Sequence, residues 1–209
     1  MSFYRLRKRG YNIAIYHLSI KVISRGKGKS AVAAAAYRAG EKILCEYDGR
    51  LNDYTRKKGI VHTEIMLPDH APREYTDRAV LWNAVEQTEK NKNSQLAREV
   101  EIALPVELTL SQNKSLVCEY VKRNFVEHGM CADICIHDTG AGNPHAHIML
   151  TMRPIEQSGE WGAKSKKEYI LDERGERITL ASGEYKSRKI PAVDWNEQTK
   201  AVKNGTPRR

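Results

Sequence analysis

From residue 13 to residue 22 the chain alternates. Ala14, Tyr16, Leu18, Ile20 and Val22 fall on one side and His17, Ser19 and Lys21 on the other, the period of a strand with one buried face. A basic, Gly-containing loop follows, Arg25-Gly26-Lys27-Gly28-Lys29, and Ser30 is placed to cap an Ala-rich helix over 31–43. Asp48-Gly49 signals a hairpin turn, and residues 61–67 read as a strand stopped by Pro68. Residues 75–90 carry Ala79, Trp82, Val85 and Glu86 at helical spacing. Residues 99–104 alternate again, with Val100, Ile102 and Leu104 inward and Glu99 and Glu101 outward. Ser111 is the expected cap of a third helix bearing Leu116, Val117, Tyr120, Val121 and Phe125, closed near Gly129. Strands over 132–137 and 145–152 flank a loop rich in Gly, Asn and Pro. The order β-α-ββ-α-β-α-ββ predicts an α+β protein, a central, mainly antiparallel sheet flanked by helices, here expected on one face.

Three parts follow: a basic arm over 1–12, a core over 13–154, and a polar peripheral lobe and tail over 155–209. Within the last, Asp172–Gly175 and Ser182-Gly183 signal hairpins, and Trp161 and Trp195 argue against a wholly disordered segment.

Charge sharpens this picture. The net charge of +9 is uneven: residues 1–30 carry +8, residues 31–150 carry −3 and residues 151–209 carry +4. A basic end on a near-neutral body suits a polyanion. No apolar run approaches the ~20 residues of a membrane span, so membrane insertion is not expected. No signal-peptide pattern opens the chain. Four Cys with no CxxC fit free thiols in a reducing compartment.

His145-Ala146-His147 carries the most chemistry. Residues two apart on a strand share a face, so both imidazoles point one way while Ala146, Ile148 and Leu150 point into the core. A hairpin brings His137 beside them, and three convergent His suit a metal site with an open coordination position. His17, Ser19, Lys21, His62, Glu64, Glu99 and Glu101 are expected on this same non-core face, as a site floor; a merely solvated sheet face has the same pattern. Met149 stands where a histidine-triad nucleotide hydrolase would place a further His. Tyr37, among small residues on the first helix, is a candidate nucleophile only if cations or a base activate it; a surface Tyr with its hydroxyl in water is the plainer alternative.

The segments IYHLSIKVISRGKGKSAVAAAAYRAGEK, DYTRKKGIVHTEIMLP, NKNSQLAREVEIALP and NPHAHIMLTMR closely resemble the MobA/MobL (MobQ-type) family of conjugative relaxases, within the HUH endonucleases. The resemblance runs from about residue 13 to residue 195. It implies a cytoplasmic bacterial enzyme that nicks and rejoins one DNA strand at the nic site of a plasmid transfer origin through a 5′-phosphotyrosyl intermediate. Tyr37 matches the nucleophile, His145 and His147 the HUH pair, and His137 the third metal-binding His. Glu99 matches an acidic site residue, with an orienting or proton-accepting role. The implied cofactor is a divalent cation, Mn or Mg foremost, with Zn or others compatible. The implied partner is single-stranded DNA, contacted by Arg25, Lys27, Lys29, Arg38 and Arg98; accessory relaxosome proteins and a coupling protein are further candidates. The family's chains usually begin just before the YHL strand and often run longer, so the arm is an addition and the chain resembles a nicking domain alone or a truncated product. Two readings compete: a replication or transposition HUH nuclease, and a non-catalytic, metal-stabilised DNA-binding module.

Overall fold

The computed structural model describes residues 17–192. The arm over 1–12, the start of the first expected strand and Trp195 lie outside the described residues. In chain order the elements are β1 (Leu18–Ser24), α1 (Ala31–Ala39), β2 (Lys42–Cys45), β3 (Arg50–Asp53), β4 (Ile60–Met66), α2 (Arg78–Thr88), β5 (Gln95–Ala103), α3 (Leu110–Asn124), β6 (Ala132–His137), β7 (His145–Thr151), β8 (Ser165–Tyr169) and β9 (Ser187–Pro191). No helix among these is long and apolar enough to cross a membrane.

The α+β expectation holds. Five strands form one sheet in the order β1-β5-β7-β6-β4, and every neighbouring pair is antiparallel. Its centre is β7, which aligns His147 with Cys135 on β6 and with Glu101 on β5.

Helices cover both faces, which corrects the one-face expectation. α3 packs Val117 and Val121, followed by Phe125, onto Val100, Ile134, Ile136, Ala146, Ile148 and Leu150. α1 and α2 pack Val32, Ala35, Ala36, Leu81, Trp82 and Val85 with Ile23, Leu96, Ala97 and Met149, whose side chains leave the sheet on the other side. The histidine face is therefore half core and half site. Small side chains let α1 sit close: Ala31, Ala35 and Ala36 are fully buried.

Local signals explain the shifted boundaries. α1 stops at Ala39 rather than running to residue 43, because Gly40 takes a left-handed conformation (φ 68°) and a Cβ there would collide with Ile60. Residues 42–45 then pair with residues 50–53 as the hairpin that Asp48-Gly49 announced. Thr109, not Ser111, caps α3, in a capping box with Gln112. The register of β4 on β6 shifts between Ile60 and His62. Such an irregularity exchanges the two faces of a strand. His62 and Glu64 consequently align with Ile136 and Ile134 on the α3 face, where Glu64 meets Lys114 at 3.2 Å. They are not part of the site floor.

Beyond β7 the described chain forms short β-bridges and the β8–β9 pair, and its first residues, Ile155 and Trp161, pack into the α1–α2 core. Turns close at Asp172–Gly175 and Leu180–Gly183, where the sequence signals hairpins.

Candidate active site

β6 ends on His137, and β7 begins on His145 directly opposite it in the register. The loop between them, with Gly140 and Gly142 at positive φ, lets the chain reverse tightly enough to bring the two together. His147 lies two residues on, on the same face. The three ring centroids are 4.8–5.4 Å apart, and one ring nitrogen from each lies within 4.8 Å of the others.

Each imidazole has one nitrogen already engaged by an oxygen. His137 Nε2 is 2.7 Å from the Arg38 carbonyl, His145 Nδ1 is 2.9 Å from the Asn143 carbonyl, and His147 Nδ1 is 2.8 Å from Glu99 Oε1. A carbonyl or carboxylate oxygen can only accept, so these nitrogens carry protons. The lone pairs left over belong to Nδ1 of His137 and Nε2 of His145 and His147. Rings oriented and fixed in one tautomer by an outer acceptor are the usual state of metal-binding His. Burial, reinforced by Lys57 and the other two His, outweighs the Arg38 carbonyl and lowers His137 to about 4. Its lone pair is thus unprotonated at neutral pH. Three imidazole nitrogen donors fit a divalent cation of the imidazole-binding kind.

Glu99 is 2% exposed and sits one diagonal step from His147 across β5 and β7. Burial alone would raise its carboxyl. Hydrogen bonds from His147 and Arg38, with the Arg38 charge, overcome that and bring it down to about 2. Glu101, directly opposite His147, turns instead to Lys21 at 2.8 Å.

Tyr37 is in the last turn of α1 and 50% exposed. Its neighbour Arg38 links that helix to the histidines in two ways, accepting from His137 through its carbonyl and donating to Glu99 through Nε. The helix carrying Tyr37 is therefore bolted to the site by the next residue along. Tyr54 meets the Tyr37 ring edge-on at 5.2 Å.

The five basic candidates separate. Lys27 and Lys29 are exposed in the loop before α1. Arg25 is directed inward, donating to Glu86 and to the carbonyls of Glu86, Glu89 and Asn91, with Tyr47 stacked over it. Arg38 is engaged by Glu99 and the Ala34 carbonyl. Arg98 aligns with Leu150 and Val22, on the face opposite the histidines, and burial lowers it to about 10. Sequence reasoning placed Glu86 in an apolar stripe without a role. It accepts the Ala31 N–H at 2.7 Å at the start of α1 and ties Arg25 to it. A carboxylate in a buried stripe was the available signal.

The family model for MobA/MobL matches residues 29–206. The chain belongs to the MobA/MobL family. It is 39% identical over 181 residues to "Probable mobilization protein MobA" of Bifidobacterium longum, across 85% of this chain and 32% of that protein. It is 42% identical over 183 residues to "Conjugal transfer protein TraA" of Agrobacterium fabrum, across 82% of this chain and 16% of that protein. The chain thus spans a third or less of the length of either relative. A solved structure described as "Molecular Basis of Vancomycin Resistance Transfer in Staphylococcus aureus" superposes with a TM-score of 0.71 at 30% identity, covering 94% of this chain and 97% of that one.

Proposed function

We propose that this chain is the nicking domain of a plasmid mobilisation relaxase, a metal-dependent single-strand DNA transesterase with Tyr37 as nucleophile. The observation that carries the reading is the trio His137, His145 and His147, each with its outer nitrogen held and its inner lone pair free, joined through Arg38 to the helix of Tyr37.

A divalent cation held by the three His, Mn or Mg first, supplies positive charge to the scissile phosphate and its transition state. The protein does the rest. Tyr37 Oη bonds to phosphorus as the P–O3′ bond breaks, and the phenol proton ends on the leaving 3′-oxygen. The phosphotyrosyl ester keeps the energy of the broken bond, so the reversed step rejoins the strand without ATP. Glu99 acts as an orienting group: a carboxylate at about 2 is a weak base near neutral pH, and it fixes the His147 ring and Arg38. Lys27 and Lys29 take phosphates of the flanking single strand, while Arg25, Arg38 and Arg98 act within the fold.

The test is a denaturing gel with end-labelled single-stranded oligonucleotides from candidate transfer origins and from replication origins, in Mn or Mg. A protein–DNA adduct that survives SDS and disappears with EDTA or in Tyr37→Phe supports the relaxase. Adducts with replication origins alone would favour the replication-type nuclease. Tight binding with no adduct would leave only a DNA-binding module. Tyr37→Phe is expected to keep oligonucleotide affinity within a few-fold.

A further inference from the structure

The segment between β3 and β4, residues 54–59, forms a bridge between the end of α1 and the metal-site hairpin. At one end the Tyr54 N–H donates to the Glu41 carbonyl just beyond α1, at 3.1 Å. At the other the Asp138 N–H donates to the Gly59 carbonyl at 2.8 Å, immediately after His137. Asp53 tightens the entry by accepting from the Thr55 N–H at 3.1 Å and its hydroxyl at 2.7 Å. Gly59, at φ 82°, lies so close to Thr139 that a Cβ would meet it at 2.8 Å. The bridge is thus held at both ends and in between.

Three consecutive basic residues lie on it, and they are not equivalent. Arg56 and Lys58 are exposed, whereas Lys57 is turned inward. Its Nζ sits over the Tyr37 ring, 3.9 Å from the centroid, and donates to the Tyr37 carbonyl at 2.9 Å. Among the described residues Lys57 forms no ion pair; its direct contacts are the ring face and that carbonyl, with the Glu99 charge acting from further off. An ammonium over an aromatic face is attracted to the neutral ring and far more strongly to a ring bearing negative charge.

We propose that Lys57 is the positioning residue of the nucleophile: it holds the Tyr37 side chain in place and stabilises the negative charge that builds on the phenol during attack and departure. The proposal rests on the relaxase reading. In the step concerned the Tyr37 Oη–P bond forms, the P–O3′ bond breaks and the phenol proton passes to the 3′-oxygen. The two end states, phenol and phosphotyrosyl ester, carry no charge on the tyrosine oxygen. A group that acts on transient phenoxide charge therefore speeds nicking and rejoining equally and leaves their balance unchanged.

That signature separates the role from a structural or DNA-binding one. The experiment uses the full chain, Mn or Mg, and the oligonucleotide that gives the adduct with the wild-type protein. Lys57→Gln retains a donor for the Tyr37 carbonyl but no charge; Lys57→Arg retains the charge. Lys57→Gln is expected to approach the adduct plateau roughly ten- to thirtyfold more slowly, the kinetic equivalent of a desolvated cation–π contact. The plateau itself and the oligonucleotide affinity should stay within twofold of wild type, and Lys57→Arg should recover most of the rate. A Lys57→Gln protein that reaches the plateau at the wild-type rate would overturn the proposal and leave Lys57 as a carbonyl tether. A lowered plateau or a proportionate loss of affinity would overturn it in favour of folding or DNA binding. If the wild-type protein forms no adduct with any oligonucleotide, the relaxase reading and this proposal fall together.

Discussion

Glu99 and His147 share a 2.8 Å hydrogen bond in which one carboxylate oxygen also receives the Arg38 guanidinium. One buried oxygen thus fixes both the tautomer of a candidate metal ligand and the helix that carries Tyr37. Replacing Glu99 by Gln keeps the shape and removes the charge that holds both donors. The divalent-metal affinity of Glu99→Gln should fall about 10- to 100-fold, the usual cost of losing a partner behind a ligand. Calorimetric titration of Mn into apo protein measures this. Unchanged affinity would show that His147 is oriented without Glu99.

The same carboxylate makes stability depend on acid. Its folded value of about 2 lies below the ordinary 4.5, so its contribution is fully present above 4.5 and is lost as pH falls towards 2. In EDTA, the stability gap between wild type and Glu99→Gln should therefore be about 2 kcal/mol smaller at pH 3 than at pH 7. Urea unfolding at the two pH values reads it. A gap independent of pH would mean that Arg38 and His147 lend the carboxylate no net support.

Much of this site is legible in the sequence because period-2 alternation is a local signal. His145 and His147 share a face whatever surrounds them, and His137 follows once a hairpin is assumed. Other features depend on what a neighbouring strand or helix does. The shift at Val61 sends His62 and Glu64 to the α3 face, and nothing in the alternation of that strand marks it. Arg25 and Arg98 read as phosphate ligands because a basic residue looks solvent-bound in one dimension. The acceptors that engage Arg25 come from residues 86–91, more than sixty positions away. Lys57 stood in a segment that resembles the family, between two equally basic neighbours, and only the path of the chain distinguishes it.

The basic loop gives a prediction that separates structural from DNA-binding charge. Lys27 and Lys29 are exposed, whereas Arg25 is enclosed by Glu86 and three carbonyls. Replacing both lysines with Ala should weaken single-stranded oligonucleotide binding and make the slope of log affinity against log salt shallower by about 1.4, at ~0.7 per phosphate contact. Arg25→Ala should leave that slope unchanged and destabilise the fold by about 2 kcal/mol or more, since Glu86 loses its buried partner. Fluorescence anisotropy over a salt series checks the first and thermal melting the second. A shallower slope in Arg25→Ala would return that residue to the DNA surface.

The buried ion pair beneath α2 gives the last prediction. Arg78 grips Asp133 through two hydrogen bonds at 2.8 and 2.9 Å, and the Trp82 indole N–H donates to the same carboxylate at 2.8 Å. Arg78 also reaches Glu41, just beyond α1, so the network joins both helices of this face to the strand that ends on His137. Both partners are nearly inaccessible, at 7% and 2% exposure. Breaking such a pair from one side leaves the Arg78 charge in a low-dielectric interior with only the more exposed Glu41 to answer it. Asp133→Ala should cost about 3–5 kcal/mol, whereas replacing both partners together, Arg78→Met with Asp133→Leu, should cost clearly less than the single change. The Trp82 N–H limits the recovery, because it loses its acceptor in either variant. Urea denaturation of the three proteins decides the matter: a double variant as unstable as Asp133→Ala would mean that the penalty comes from the lost acceptor for Trp82 and not from the stranded arginine.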